Sequence, residues 1–234
     1  MSDLGLKRPP WKPDLSGLPW QSRWAYHILK PLSRLLYRPR YYGLDNLPRQ
    51  GPYIILANHQ SFFDVMLLNP AIPLNPIWLG KKELFESPLM APVIKGFGAI
   101  PIDREASNFT AVKQIFALLK DGGILAVFPE ATRIKEGKQG EILPKAGLVH
   151  LLSRAKVPLI PICLEYPYRL FRRHRVVVGP AFHMPVVKAG EETAAAAYIL
   201  AKIYGLLGDL PGPLQDRVDK FTDSMPMEDQ HEKA

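Results

Sequence analysis

The sequence predicts an α/β domain: a mixed, partly parallel sheet flanked by helices, led in by a basic amphipathic helical arm. Two observations predict it. Short apolar runs bounded by glycine and proline alternate with segments of helical period. Positive charge is concentrated at one end: the first fifty residues hold nine Lys/Arg against three Asp/Glu, in a chain whose formal net charge is +8.

Residues 1–19 are rich in proline and polar groups and read as an extended lead-in. Over Trp20–Arg38, Arg23, His27, Lys30, Arg34 and Arg38 recur at steps of four and three, which stacks them along one helical stripe. Trp24, Ile28, Leu32, Leu35 and Leu36 fall on another side, and Pro31 kinks the element or divides it in two. Such a helix suits a lipid headgroup layer. It is equally an ordinary amphipathic helix packed on its own domain.

Strands are expected at Tyr53–Ala57, Pro76–Leu79, Ala99–Ile102, Ile124–Phe128, Leu159–Leu164 and Arg175–Val178. Helices are expected at Phe62–Leu68, Phe109–Lys120, Ala146–Ala155 and the alanine-rich Thr193–Leu207. Asp121-Gly122-Gly123 is a glycine stop for the second of these. Pro211–Ala234 reads as a loose polar tail. The expected division is an arm over 1–39, a domain over 40–208 and a tail over 209–234.

Composition narrows the function. The basic balance points to an anionic partner: nucleic acid, anionic lipid or a phosphorylated metabolite. The lone Cys163 excludes an intrachain disulfide, fits a reducing compartment and, in an apolar run, reads as a buried structural thiol. Met1–Trp11 lacks the apolar stretch of a signal peptide. The charge-free run Val65–Gly80 is broken by Pro70, Pro73 and Pro76, so it offers no stretch of about 20 apolar residues for a spanning helix. A chain of this kind that meets a membrane lies on it. P-loop, GxGxxG, HExxH, metal-ligand cysteine and G-x-S-x-G patterns are all missing from the sequence, so neither cofactor nor metal is expected.

The sharpest feature is Asn58-His59-Gln60-Ser61-Phe62-Phe63-Asp64, directly after the first apolar run. A histidine at the end of a strand is well placed for a site in an α/β fold, and imidazole takes a proton near neutral pH. Five residues on an ideal helix turn through about 140°. His59 and Asp64 therefore meet only if His59 precedes the helix and Asp64 sits in its first turn. Ser61 and Asp64 have the spacing of a capping box, with Ser61 at the N-cap and Asp64 at N3. From these residues alone two readings stand: a proton-transfer pair, or a structural histidine beside a helix cap.

The motif Asn-His-(four residues)-Asp resembles the first block of the glycerolipid acyltransferases, the 1-acylglycerol-3-phosphate acyltransferase family. Further blocks follow in the family's order. Gly80-Lys81-Lys82-Glu83-Leu84-Phe85 resembles its lysine-rich stretch, and Gly98-Ala99-Ile100-Pro101-Ile102-Asp103-Arg104 its second block. Phe128-Pro129-Glu130-Ala131-Thr132-Arg133 resembles the third and Val157-Pro158-Leu159-Ile160-Pro161 the fourth. The resemblance covers about Tyr42 to Glu165 and departs at Ala131, where the family pattern has glycine.

The resemblance implies transfer of an acyl group from acyl-CoA or acyl-carrier protein to the hydroxyl of a lysophosphatidate-type acceptor, giving phosphatidate. It implies His59 as general base oriented by Asp64. Arg104 would hold the acceptor's phosphate with Glu130, Thr132 and Arg133. Lys81 and Lys82 are candidates for the donor's phosphates, and Pro158 and Pro161 for the wall of the acyl site. A basic enzyme acting on a bilayer lipid is expected as a peripheral or monotopic protein on the cytoplasmic face of an anionic membrane. The alternatives are the same chemistry on glycerol-3-phosphate or another lysolipid, and a silent lipid-binding module. Nucleic-acid binding rests on net charge alone and is not expected.

Overall fold

The computed structural model describes residues 27–28, 31–32, 34–72, 76–88, 91, 94, 99–103, 108–208, 214 and 218. Seven strands form one sheet: β1 (Pro39–Tyr42), β2 (Tyr53–Ala57), β3 (Ile77–Lys81), β4 (Ile100–Ile102), β5 (Ile124–Val127), β6 (Leu159–Leu164) and β7 (His174–Val178). Their order is β1-β7-β6-β2-β5-β3-β4. All pairings are parallel except β6 with β7, where Cys163 stands opposite Val177. The mixed, mainly parallel sheet is the expected one.

The central strands β2, β5 and β6 are buried throughout, which is why they read as continuous apolar runs instead of alternating ones. Helices cover both faces. On one face, α2 (Phe109–Lys120), α3 (Ala146–Ala155) and α4 (Glu192–Tyr204) pack on Ile54, Leu56, Leu125, Val127, Leu159 and Cys163. On the other, the short α1 (Asp64–Leu68) and the segment from Tyr37 to Leu47 cover Tyr53, Ile55, Ala57, Ala126, Ile160 and Ile162. The glycine stop of α2 is a Schellman ending. Gly122 is left-handed at φ 78, its N–H donates to Leu119 O at 3.1 Å, and Gly123 N donates to Leu118 O at 2.8 Å.

Three elements differ from expectation. β1 is an additional edge strand, paired with β7 from Pro39↔His174 to Tyr42↔Val177; its four residues follow directly on the arm, whose helical pattern ran to Arg38. The first helix begins at Asp64 instead of Phe62, because a turn closed by Asp64 N donating to Ser61 O at 3.2 Å precedes it. Beyond residue 208 the tail is not loose everywhere: Leu214 is fully buried and sits against Gly140. In the arm, residues 27–28, 31–32 and 34–37 are helical; Trp20, Arg23, Trp24 and Lys30 lie outside the described residues. No helix among the described residues is long and apolar enough to cross a membrane.

Candidate active site

Because β2, β3, β4, β5 and β6 run parallel, their C-terminal ends share one edge of the sheet. In open α/β sheets this is the edge where ligands bind. His59 follows β2, Phe128 to Arg133 follow β5, Lys81 ends β3 with Lys82 next to it, and Asp103 follows β4. Segments distant in sequence thus converge through strand polarity.

His59 and Asp64 meet as the spacing required. Nδ1 of His59 stands 2.7 Å from Asp64 Oδ2, and that oxygen also accepts the backbone N–H groups of Gln60 at 2.7 Å and Ser61 at 2.9 Å. The expected capping box does not form: the helix starts at Asp64 with Phe63 as its N-cap and no side-chain cap, so Asp64 Oδ2 ties back amides of the loop before the helix, while Ser61 Oγ accepts from Phe63 N at 3.2 Å. With Nδ1–H directed at the carboxylate, the Nε2 lone pair is the basic one. Asp64 is wholly buried while the His59 side chain keeps 20% exposure, so the imidazole alone reaches solvent.

The histidine is held at Nδ1, by one ring face and through its own backbone. Its ring stacks on Phe128 at 4.1 Å between centroids, and Phe128 stacks on Trp78 at 4.9 Å. Its carbonyl accepts from Ile134 N at 2.7 Å, and its own N–H donates to Glu130 Oε2 at 3.3 Å. The preceding Asn58 closes a two-bond clamp on the end of β6. Its Nδ2 donates to Leu164 O at 2.9 Å, and its Oδ1 accepts Leu164 N at 2.7 Å. Gln60 Nε2 adds a bond to Leu164 O at 2.8 Å. An amide side chain at 58 thereby continues the parallel ladder past the end of β2 and fixes the loop that carries His59.

The Glu130 expectation is corrected by the geometry. The side chain is 3% exposed and turned inward, with Oε1 2.5 Å from the Tyr204 hydroxyl and Oε2 on the His59 amide. It braces the histidine loop against α4 and is not presented to a phosphate. Burial pushes its carboxyl from 4.5 up to about 7; the Tyr204 and His59 hydrogen bonds pull the other way, and the Asp64 charge adds to the rise. The next residue, Ala131, has φ 55. That left-handed conformation explains why the family pattern has glycine there. The turn it ends, closed by Ala131 N on Phe128 O at 2.9 Å, directs Thr132 and Arg133 outward. Both are exposed, and Arg133 makes no ion pair among the described residues.

The remaining candidates divide. Lys81 and Lys82 lie on the same edge, in exposed pairs with Glu83 at 3.0 Å and Asp103 at 3.9 Å. Arg104 lies outside the described residues. Its neighbour Asp103 accepts from and donates to the Asn108 side chain, which joins the two ends of the connection containing Arg104. Pro158 and Pro161 are not brought to this edge. Pro158 precedes β6 at the opposite end of the sheet, its carbonyl accepting Ile54 N at 2.9 Å. Pro161 is buried mid-strand opposite Leu56 and packs beneath Gly179. Residues that carry the site but escaped the sequence reading are Phe128 as stacking partner, Trp78, Tyr204 and Asn58 as a clamp. Only Asn58 had a local signal, being a polar residue at the end of a buried strand.

The chain is similar to known proteins. A 1-acyl-sn-glycerol-3-phosphate acyltransferase of Bacillus subtilis is 29% identical over 69% of this chain and 82% of its own length. A chloroplastic enzyme of the same name from Brassica napus is 30% identical over 60% of this chain, which spans 40% of that longer protein. The crystal structure of the 1-acyl-sn-glycerophosphate acyltransferase PlsC from Thermotoga maritima shares the fold. Its TM-score is 0.58 at 18% identity, over 81% of this chain and 83% of that one. The acyltransferase family model matches residues 38–165, from the start of β1 through the clamp on β6. With more than half its length matched, this chain belongs to the acyltransferase family.

Proposed function

We propose that this enzyme transfers a fatty acyl group from an acyl thioester to the free hydroxyl of 1-acylglycerol-3-phosphate, forming phosphatidate for phospholipid synthesis. The observation that carries the reading is the 2.7 Å contact between His59 Nδ1 and Asp64 Oδ2, with the imidazole the one exposed member of the pair. The names of the relatives support the acceptor class.

In the proposed reaction the acceptor hydroxyl donates its proton to His59 Nε2 as its oxygen bonds to the thioester carbonyl carbon. Asp64 stabilises the imidazolium that forms. The C–S bond then breaks, and the departing sulfur takes the proton from Nε2. General-base assistance of this kind is worth about 10²–10⁴ in rate. The transfer is direct, with no acyl-enzyme.

Exposed Thr132 and Arg133, which precede Ile134, whose N–H donates to His59 O, would hold the acceptor's phosphate together with Arg104. A guanidinium offers a phosphate two parallel N–H donors. Lys81 and Lys82 would face the phosphates of the donor, whether acyl-CoA or acyl-carrier protein. Glu130, Pro158 and Pro161 take structural roles in this reading. Neither cofactor nor metal enters it. The acceptor is a bilayer lipid, so the reading places the enzyme on an anionic membrane surface, at its cytoplasmic face.

Offering 1-acylglycerol-3-phosphate, glycerol-3-phosphate and an uncharged lysolipid together with one acyl-CoA, and identifying the products by mass spectrometry, tests the acceptor. Phosphatidate is the expected main product. Predominant acylation of glycerol-3-phosphate or of the uncharged lysolipid would overturn the assignment.

A further inference from the structure

Beside the histidine edge, the connection from β6 to β7 makes a loop that the reaction does not use. It carries Arg169, Leu170, Phe171, Arg172 and Arg173, all exposed. Leu170 and Phe171 are 57% and 61% exposed, although both side chains are large and apolar. Phe171 adopts φ 63, a left-handed conformation that a bulky residue rarely takes and that needs support from its surroundings. The support is visible. Phe171 N donates to Leu36 O at 2.6 Å, and His174 Nε2 hydrogen bonds to Arg169 O at 2.8 Å. Behind the loop, Tyr168 packs on Tyr37 and His174 with ring centroids 5.1 and 5.3 Å apart. The backbone is thus braced into a strained form whose result is an aromatic ring in water.

The tether to Leu36 extends the patch to the preceding helix. Ile28 and Leu35 are 58% and 64% exposed there, and Arg34 is exposed beside them. Arg34, Arg169, Arg172 and Arg173 form no ion pair among the described residues. A cavity of about 330 Å³ opens between Arg169, Arg172, Arg173 and Glu165. Its carboxylate is already engaged, with Glu165 Oε1 3.0 Å from Arg175 Nε.

Apolar tips ringed by arginines that form no ion pair among the described residues match one kind of surface, in which acyl chains lie just beneath phosphates. A second copy of this chain would bring the same positive charge, +8 in formal total, to the contact. Nucleic acid would satisfy the arginines and leave Leu170 and Phe171 exposed. We propose that the loop from Tyr166 to Arg173 is a bilayer-docking element, seating Leu170 and Phe171 among acyl chains while Arg169, Arg172 and Arg173 meet anionic lipid phosphates. Gln60 Nε2 reaches Glu165 O at 3.3 Å, so the docking loop begins where the histidine loop is clamped. Docking there would bring a bilayer lipid to the catalytic edge.

The proposal is tested on the full chain with Leu170→Cys, labelled with an environment-sensitive fluorophore. The native Cys163 is fully buried with its thiol pushed up by burial, which leaves position 170 as the labelling site. Vesicles of phosphatidylglycerol with phosphatidylcholine are expected to raise and blue-shift the emission severalfold, and pure phosphatidylcholine to leave it nearly unchanged. Leu170→Ser with Phe171→Ser, checked for unaltered thermal unfolding, is expected to weaken vesicle binding by roughly tenfold or more. An unchanged emission at position 170, or unchanged vesicle binding by the folded double variant, would overturn the proposal. So would an emission change that follows protein concentration without lipid, which would assign the patch to self-association. Turnover with a short-chain, water-soluble acceptor reports separately on the proposed reaction. Failure of docking leaves that turnover intact.

Discussion

Asp64 Oδ2 accepts three hydrogen bonds at once, from His59 Nδ1 and from the backbone amides of Gln60 and Ser61. One buried oxygen therefore sets both the path of the loop and the tautomer of the imidazole. The tie that holds the loop before the helix and the contact to the imidazole are made by the same atom.

Replacing Asp64 by Asn separates them. The amide can still accept backbone bonds through its oxygen but no longer stabilises the imidazolium. kcat is expected to fall about 10²–10⁴-fold, with a much smaller change in KM. Steady-state kinetics on a variant with a native circular dichroism spectrum checks this. A kcat within threefold of wild type would reduce Asp64 to a structural tie for the Gln60–Ser61 loop.

Glu130 makes stability depend on pH in a defined direction. Its carboxyl is raised from 4.5 to about 7 in the folded protein. The folded state therefore holds the proton more tightly than the unfolded state. The stability this contributes is full below about pH 4.5 and is lost as pH rises to about 7. The rise corresponds to an order of 3 kcal/mol. Glu130→Gln cannot titrate, so its unfolding free energy, measured by urea denaturation from pH 4.5 to 8, is expected to fall less than that of wild type. Parallel curves would contradict the inward, buried carboxyl.

Ala131 stands at φ 55, where an L-residue is strained by about 1–2 kcal/mol and glycine is not. Glycine loses part of that gain through the greater freedom of its unfolded chain, about 0.4–1 kcal/mol. Ala131→Gly is expected to stabilise the protein by about 0.5 kcal/mol, read as a higher urea midpoint at constant slope. A lower midpoint would show that the alanine methyl makes contacts worth more than the strain.

What could be read from the sequence was local or periodic. The His59–Asp64 pair lies within five residues, so turn geometry alone specified how it could form. The buried strands β2, β5 and β6 and the helices α2 and α3 announced themselves through continuous or periodic apolar runs. The Tyr204–Glu130 contact joins residues 74 positions apart, and no local pattern marks either as facing the other. The motif in which Glu130 sits suggested a ligand contact, whereas burial against α4 turned it into a brace. β1 was hidden because four residues beside a helical arm carry too short a pattern, and its place depends on pairing with β7, far along the chain. Pro161 lies in a motif with the site residues, yet strand register sets it within the sheet and away from the edge.

The central claim is that His59 is the base of an acyl transfer, and thiol release from acyl-CoA tests it most directly. The rate is measured with and without 1-acylglycerol-3-phosphate, for wild type and for folded His59→Ala. Acceptor-dependent release by wild type that drops at least about 100-fold in the variant is the predicted result. Equal acceptor-dependent release by both proteins would contradict it.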